Sequence, residues 1–441
     1  MPRTCHPRFT VLICLSLVLS SAFASAATPP RGAYHLPNGD ILALTTFDGA
    51  LRFFMQNGRT GSLVNVNEGA FVGSEPGMGM AEPTHTLLAT DTELTFNWEG
   101  KDHALTQIPL SEKDYQFNSG GQTLRGRLLA PSTGSYRGIV ILVHGSENYS
   151  ALDNNFLQYL LAANDLAVFV YDKRGTGGSQ GKYTHDIPTL AADVVAAINF
   201  VDSLPEAQAQ TILLAGFSQG GWVAPMAAVQ SDKVRALLLG YGPAVSLYEE
   251  DRWGYAYWLQ EEGYSAEDLA KADQLFALLK DMQTRGRPDR WKELKALIDQ
   301  YKNERWYQEG LPGTDSSLAA LTDTPVPLTL MYWWTSLFGL ERFVDYDPAS
   351  VLAQLDTPSY WLFAGEDASM PTEASIKNLK ALSDSGLPMA YKVYPDTSHG
   401  IVKFEPGRGR ERPFISYQPG YFDDMIRWLQ EQATTADSLE N

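Results

Sequence analysis

Two serines of this 441-residue chain lie in the pattern Gly-x-Ser-x-Gly, in which a serine hydroxyl can serve as a nucleophile. Ser218 follows an apolar run of strand length and precedes small, apolar residues that suit a buried helix. A nucleophilic serine needs such a strand-to-helix turn, and nearby glycines let the strand and the helix approach each other. We therefore predict Ser218 as the nucleophile, with Gly216 and Gly220 as the glycines of the turn. Ser179 follows a glycine-rich stretch and precedes polar residues and a proline, which indicates a surface loop.

A serine hydroxyl is a weak nucleophile near neutral pH, so it requires a general base, normally a histidine that a carboxylate holds in orientation. In the strand-turn-helix version of this chemistry, the chain order is serine, acid, histidine. Only one histidine, His399, lies C-terminal to Ser218, and it comes just after the last predicted strand. We predict that His399 is the general base.

The predicted acid is Asp367, which directly follows the strand before His399. Glu366 is the neighbouring alternative. Successive side chains in an extended segment turn apart, and the Gly-x-Asp spacing favours Asp367. Asp396, three residues before His399, is expected to order its own loop.

Acyl transfer also needs hydrogen-bond donors directed at the oxyanion that develops on the substrate. The backbone N–H of Gln219, directly after the nucleophile, is one predicted donor. The backbone N–H of Ser146 is the second, because it lies in the loop after the first predicted strand, where Gly145 permits close approach to a substrate. His144 is expected to fix this loop rather than to act as a second base.

The elements that must position these residues begin at about residue 115. Apolar runs of strand length alternate there with helical segments, which indicates a mostly parallel sheet with helices on both faces. The predicted strands cover residues 138–145, 166–172, 211–216, 235–240, 359–365 and 390–395, and the predicted helices cover 152–165, 189–204 and 421–432.

The region before this sheet has a different pattern, so we predict an N-terminal β-rich domain over residues 27–112 and an α/β domain over residues 113–441. Short alternating apolar segments are separated by turn pairs, which favours β-hairpins. These pairs are Asn38-Gly39, Asp48-Gly49, Asn57-Gly58 and Glu99-Gly100.

Residues 1–26 have the order of features that is typical of a secretory signal peptide: basic residues, an uncharged apolar run, and Ala24-Ser25-Ala26. We expect cleavage after Ala26 and a periplasmic or secreted protein; an uncleaved membrane anchor is the alternative. Both cysteines, Cys5 and Cys14, lie in this leader, so no disulfide is expected. Without the leader the chain has 32 basic and 52 acidic residues, a net charge of −20, which disfavours nucleic acid and anionic lipid as partners.

Over residues 115–435 the chain resembles the α/β-hydrolase superfamily. The resemblance rests on an ordered set of motifs: VHGS at the oxyanion loop, DKRGTGGS, GFSQGG around Ser218, GED with Asp367 and SHG with His399. It is most similar to exported bacterial serine esterases with an N-terminal β extension, and to the dienelactone-hydrolase-like and acyl-CoA-thioesterase-like branches. Glu147 stands where related oxyanion loops frequently have glycine.

The resemblance implies an α/β-hydrolase fold in which the helical insertion at about residues 243–347 forms a cap or lid. Within it, helices are predicted after Ser265 and over residues 290–306. Six tryptophans fall in the insertion, either to fill its own core or to line a pocket: Trp253, Trp258, Trp291, Trp306, Trp333 and Trp334. The uncharged segment 324–340 is interpreted as a lid element, since it contains two prolines and is shorter than a normal transmembrane span.

The predicted function is hydrolysis of neutral esters with short- to medium-length acyl chains through an acyl-enzyme, with no metal or cofactor. A thioesterase or acyltransferase would use the same residues, and a serine peptidase or a non-catalytic binding protein on this fold are further alternatives. The expected partner is a small ester substrate, with no stable membrane insertion once the leader is removed. The sequence does not indicate an oligomeric state.

Overall fold

The computed structural model describes eight parts of the chain: residues 30–47, 50–76, 83–90, 93–208, 210–285, 290–310, 346–405 and 412–434. The predicted signal peptide, the Asp48-Gly49 turn, the segment 324–340, Trp333 and Trp334 lie outside these described residues.

The N-terminal part of the chain forms a closed antiparallel barrel of eight strands. Each strand pairs with its neighbour in the sequence, and β1 pairs with β8 to close the barrel. The strands are β1 Gly32–His35, β2 Ile41–Phe47, β3 Ala50–Met55, β4 Thr60–Asn67, β5 Ala70–Ser74, β6 His85–Ala89, β7 Leu94–Trp98 and β8 Lys101–Gln107. Gly39 and Gly58 have positive φ angles in two of the predicted turns, as tight hairpins require. The predicted β-rich domain is therefore present, but its closure was not predicted.

The second sheet has eight strands in the order β16-β15-β14-β13-β11-β12-β10-β9. The strands are β9 Leu110–Ser119, β10 Gln122–Pro131, β11 Ile139–Val143, β12 Ala167–Tyr171, β13 Ile212–Phe217, β14 Val234–Gly240, β15 Ser359–Ala364 and β16 Met389–Tyr394. The neighbouring strands from β12 through β11, β13, β14 and β15 to β16 pair in parallel. Strand β10 runs in the opposite direction and pairs antiparallel with both β12 and β9. The predicted boundary between residues 112 and 113 falls inside β9, since the chain has already left the barrel after Gln107.

Helices cover both faces of this sheet. They are α1 Ala151–Asn154, α2 Leu157–Ala162, α3 Ile187–Asp202, α4 Gly220–Ala228, α5 Leu247–Glu261, α6 Ala266–Arg285, α7 Trp291–Tyr301, α8 Arg305–Gly310, α9 Ala349–Leu352, α10 Thr372–Asp384 and α11 Tyr421–Thr434. One apolar core joins α3, α4, α9 and α10 to the sheet. The other joins α1, α2, α11 and part of the barrel to the opposite face. A short hairpin, β17 Val402–Phe404 and β18 Phe414–Tyr417, precedes α11.

Most predicted elements match the observed ones to within two residues, but the helix predicted over residues 152–165 is interrupted. It forms the two short helices α1 and α2, because the side chain of Asn155 accepts a hydrogen bond from the backbone N–H of Leu157 (3.0 Å). Asparagine side chains that bond to nearby backbone groups compete with the helix in this way. The predicted single helix over 290–306 likewise appears as α7 and α8.

The described part of the insertion, α5 to α8, has an apolar core of its own. Trp291 and Trp306 are buried in this core, whereas Trp253 is 39% exposed. Ser265 caps α6, since its Oγ accepts a hydrogen bond from the backbone N–H of Asp268 (3.2 Å). No helix within the described ranges is long and apolar enough to cross a membrane.

Candidate active site

Ser218 occupies a sharp turn between the end of β13 and the start of α4. Its φ angle is +50°, in the left-handed region that non-glycine residues rarely adopt. The turn is held by two hydrogen bonds: the N–H of Ser218 donates to Gly240 O (3.1 Å), and the N–H of Gly221 donates to Ser218 O (2.7 Å). This strained turn lifts the serine side chain above the carboxyl edge of the parallel sheet.

The predicted glycines of the turn allow this close approach. A Cβ atom on Gly216 would lie 2.5 Å from Gly220 O, and one on Gly220 would lie 2.2 Å from Val143 O. Both distances are shorter than van der Waals contact. Any side chain at either position would therefore force α4 away from β11 or β13.

The structure brings Ser218, His399 and Asp367 together in one hydrogen-bonded line. His399 Nε2 lies 3.0 Å from Ser218 Oγ, and His399 Nδ1 lies 3.0 and 2.9 Å from the two carboxylate oxygens of Asp367. In the tautomer that satisfies both contacts, Nδ1–H donates to Asp367 and Nε2 accepts from the serine hydroxyl. Nε2 is then placed to take the serine proton.

Asp367 is 2% exposed, and its carboxylate has backbone partners besides His399. Oδ1 accepts hydrogen bonds from the N–H groups of Ser369 (2.9 Å) and Met370 (3.0 Å). Glu366 is exposed, so the structure places Asp367 and not Glu366 against His399. Asp396 has a φ angle of +54° in the loop that carries His399, where aspartate tolerates the left-handed conformation.

The loop after β11 lies directly against the serine. A Cβ atom on Gly145 would be 3.0 Å from Ser218 Cβ, a distance so short that a side chain at this position would crowd the serine. His144 is buried and its Nε2 lies 3.2 Å from Tyr171 O, which fixes the start of the loop as predicted. Ser146 follows Gly145, and Gln219 follows Ser218, so the two predicted oxyanion donors lie on segments that meet beside the serine hydroxyl.

Ser179 has a different environment. Its hydroxyl donates to Asp172 O (2.6 Å) and accepts from the N–H of Arg125 (2.9 Å). The serine therefore ties the loop after β12 to strand β10. Its oxygen is occupied by the fold, in contrast to Ser218, whose hydroxyl contacts a histidine.

Residues 140–406 match the sequence profile described as the Alpha/beta hydrolase family. The chain belongs to the alpha/beta hydrolase family. The matched range contains the whole Ser218–His399–Asp367 line and the loop after β11, but not the barrel.

Individual relatives of this hydrolase are distant. An uncharacterized protein of Rickettsia prowazekii is 29% identical over 140 residues, which are 31% of this chain and 57% of that protein's length. An esterase of Pyrococcus furiosus shares 13% identity over 73% of this chain and 92% of its own, with a TM-score of 0.42. A proline iminopeptidase of Mycobacterium smegmatis shares 14% identity over 74% of this chain and 100% of its own, with a TM-score of 0.44.

Two carboxylates besides Asp367 surround the histidine of the hydrolase. Burial lowers the pKa of His399, but Asp367, Glu250 and Glu147 together outweigh it, so the pKa is raised above its usual value. Burial also raises the pKa of Glu250 on α5 to about 8. Glu147 is half-buried with its pKa lowered: burial opposes this, while His144 and Lys173 favour the charged form. At neutral pH Glu147 is therefore the additional negative charge near His399, whereas Glu250 is mostly protonated.

Sequence reasoning missed several residues that shape this hydrolase site. Tyr241 directly follows β14, and its ring packs edge-on against His399 with centroids 4.9 Å apart. Lys173 follows β12, is 3% exposed, and donates a hydrogen bond to Gly145 O. Their position after parallel strands is a pattern that could have indicated both, because those strand ends meet at one edge. Glu250 lies on an acidic helix, where nothing in the sequence distinguishes it.

Proposed function

We propose that this hydrolase is a serine carboxylic-ester hydrolase that works through an acyl-enzyme. The observation that carries the proposal is the hydrogen-bonded line from Ser218 through His399 to Asp367, on a turn that holds the serine in a left-handed conformation. The histidine accepts the hydrogen bond of the serine hydroxyl, and a buried carboxylate holds the other nitrogen of the histidine. This arrangement activates the hydroxyl for attack on a carbonyl carbon.

Acylation forms a bond between Ser218 Oγ and the ester carbonyl carbon, while His399 Nε2 accepts the hydroxyl proton. The carbonyl electrons move to the oxygen, where the N–H groups of Gln219 and Ser146 stabilise the negative charge. When the tetrahedral intermediate collapses, the alcohol leaves and takes the proton from His399. Water then repeats these steps on the acyl-enzyme, releasing the acid and restoring Ser218. Asp367 holds the imidazole in position and stabilises its charged form.

The charge around the site favours neutral substrates. Glu147, whose own pKa is lowered, lies close enough to His399 to raise the pKa of that histidine, and the whole chain has a net charge of −18. An anionic substrate such as an acyl-CoA would approach this surface against electrostatic repulsion. We therefore expect neutral esters with short to medium acyl chains to be preferred over CoA thioesters.

Two substitutions test the assignment of the nucleophile. Ser218→Ala removes the attacking oxygen and is expected to abolish hydrolysis of p-nitrophenyl butyrate. Ser179→Ala, the matched control, removes the serine of the second Gly-x-Ser-x-Gly pattern and is expected to retain most activity. Equal losses in both variants would contradict the proposal.

Substrate class is tested by a panel of p-nitrophenyl esters from acetate to palmitate, measured beside acetyl-CoA and palmitoyl-CoA. The proposal predicts the highest kcat/KM for neutral esters with short or medium chains. A higher value for the CoA thioesters would favour the thioesterase alternative, and a preference for palmitate alone would favour a lipase. Turnover of none of them by folded protein would favour a binding function.

We also propose that the protein is exported and cleaved after Ala26, on the charge and residue pattern of residues 1–26. Export with cleavage predicts a mature N-terminus at Ala27 in the periplasmic or extracellular fraction. An intact N-terminus in the membrane fraction would instead support the alternative that residues 1–26 form an uncleaved membrane anchor.

A further inference from the structure

Lys173 is a buried lysine in the loop that follows β12. It is 3% exposed, and its ammonium group donates a hydrogen bond to the backbone oxygen of Gly145. The backbone of Lys173 is fixed in turn, because its carbonyl oxygen accepts hydrogen bonds from both the N–H (3.0 Å) and the hydroxyl (2.9 Å) of Thr176. A lysine is costly to bury, so a fixed and buried ammonium on a backbone carbonyl calls for an explanation.

The bond from Lys173 determines how the peptide between Gly145 and Ser146 is oriented. This peptide is trans, and in a trans peptide the carbonyl oxygen and the amide hydrogen point in opposite directions. Since Gly145 O is turned toward the buried ammonium, the N–H of Ser146 is turned away from it. Gly145 itself lies against Ser218, so the peptide stands beside the nucleophile.

A second contact holds the other end of this short segment. The hydroxyl of Tyr183 donates to Ser146 O, and the ammonium of Lys173 lies 5.3 Å from the centroid of the Tyr183 ring. Glycine rotates more freely about its backbone bonds than other residues, so the peptide after Gly145 would otherwise be free to turn. Lys173 and Tyr183 restrict that rotation, because each donates a hydrogen bond to a carbonyl oxygen of this segment.

We propose that Lys173 is a positioning residue for the oxyanion hole: its bond to Gly145 O aims the N–H of Ser146 at the substrate oxygen. This inference rests on the proposed function. The same bond draws electron density toward the carbonyl oxygen and makes the N–H of that peptide a stronger donor. Lys173 acts only through the Gly145–Ser146 peptide, and it does not exchange a proton with the substrate.

The test compares an oxygen ester with its thionoester, in which sulfur replaces the carbonyl oxygen. Sulfur is a weak hydrogen-bond acceptor, so the thionoester gains less from the oxyanion donors. Lys173→Met introduces an apolar side chain of similar length and removes the ammonium group that donates to Gly145 O. We expect it to lower kcat for p-nitrophenyl butyrate by about 10- to 100-fold, which does not exceed the loss of kcat caused by removing one oxyanion-hole donor entirely. KM should change by less than about threefold. The kcat/KM ratio of oxygen ester to thionoester should fall at least about fivefold.

Two further variants separate positioning from general damage. Lys173→Arg keeps N–H donors and should recover part of both kcat and the ratio. Arg174→Lys is the matched control, because Arg174 binds buried Asp193 from the same loop without touching Gly145. It should leave the ratio unchanged. Equal losses on both substrates in Lys173→Met would overturn the inference, as would a change confined to KM.

The wild-type protein provides a test that needs no substitution. Burial lowers the pKa of Lys173 to about 8, against the opposing effect of Glu147, while Tyr183 and His185 are the other titratable groups that face it. A neutral amine is a weaker donor than an ammonium. The ratio of oxygen ester to thionoester should therefore decline between pH 7 and pH 9.5, and a constant ratio would overturn the inference. If the wild type hydrolyses neither ester and no serine reacts with a fluorophosphonate, the proposed function fails and this inference with it.

Discussion

The carboxyl group of Asp367 binds His399 through both of its oxygens and also accepts two backbone hydrogen bonds. These contacts hold the carboxylate in place inside the protein, where it can stabilise the imidazolium of the transition state. Its neighbour Glu366 faces solvent. Substitutions at these two neighbouring acids therefore distinguish the buried carboxylate that contacts His399 from an exposed one that does not.

Asp367→Asn is expected to lower kcat on the order of 10⁴-fold, because an amide that donates to Nδ1 selects the wrong histidine tautomer. Glu366→Gln should change kcat by less than about twofold. Steady-state hydrolysis of p-nitrophenyl butyrate measures both. If the two effects were exchanged, the acid of the site would be Glu366.

The raised pKa of His399 predicts the acid limb of the pH profile. The free histidine must be neutral to accept a proton, so kcat/KM should decline as pH falls through an apparent pKa above the usual 6.5. Glu147→Gln removes a negative charge and should move this limb to lower pH, by less than about 1 pH unit. Glu366→Gln is the control and should leave the limb in place. A shift to higher pH in the Glu147 variant would contradict the electrostatic account.

Single residues could be predicted where chain order and strand ends constrained them. Ser218, Asp367 and His399 each follow a parallel strand, and all three predicted residues meet at one edge. Glu250 could not be predicted, because its position near His399 depends on how α5 packs across the sheet. That packing involves a contact distant in sequence, from Trp253 Nε1 to Asp367 O (3.3 Å).

At the scale of elements, the position of α4 depends on the absence of side chains. Gly220 begins the helix, and a Cβ atom there would lie 2.2 Å from Val143 O. Gly254 lies inside α5, where a Cβ atom would approach no atom closer than 3.6 Å. The same substitution at these two glycines therefore has opposite consequences.

Gly220→Ala is expected to lower the free energy of unfolding by about 1–3 kcal/mol or more, since overpacked backbone must shift. Gly254→Ala should raise it by about 0.5–1 kcal/mol, because alanine favours a helix more than glycine does. Urea unfolding followed by circular dichroism measures both changes. A stabilised Gly220 variant would show that α4 is not held against β11 as described.

Strands and long helices could be predicted because their apolar patterns are local. The buried strands β11 and β13 are continuous apolar runs, and their predicted bounds differ from the observed ones by at most two residues. The break between α1 and α2 was not predicted. It depends on one side-chain hydrogen bond from Asn155, which a periodic pattern does not reveal.

At the scale of the whole molecule, the barrel and the hydrolase domain share an apolar core. Phe54 of β3 stacks on Phe156 with ring centroids 3.9 Å apart, and both join the core that α11 also lines. Polar contacts support the same junction: Thr45 Oγ1 donates to Asp153 O at 2.9 Å. Two domains with a continuous core are expected to stabilise each other.

Phe54→Ala should therefore destabilise the whole chain by about 3–5 kcal/mol and lower one common melting transition. Differential scanning calorimetry of the wild type should show barrel and hydrolase domain unfolding together. Leu88→Ala is the control: Leu88 is a barrel residue that is 50% exposed, so its loss should have little effect. A separate barrel transition, with only that transition shifted by Phe54→Ala, would contradict a shared core.

This level of organisation was the least predictable from the sequence. Turn pairs such as Asn57-Gly58 indicate neighbouring hairpins, but closure of the barrel depends on pairing Tyr34 with Gln107, far apart in the chain. No local pattern encodes such a pair. The contact of the barrel with the hydrolase domain through Phe54 could not be predicted for the same reason.

The central claim is that Ser218 is the activated nucleophile. Reaction with a fluorophosphonate probe, followed by peptide mass analysis, tests it most directly, because the probe bonds covalently to a serine that a histidine activates. We predict one labelled peptide, which contains Ser218, in the wild type and in Ser179→Ala, and no label in Ser218→Ala. A folded wild-type protein that remains unlabelled, or a label on Ser179, would contradict the account.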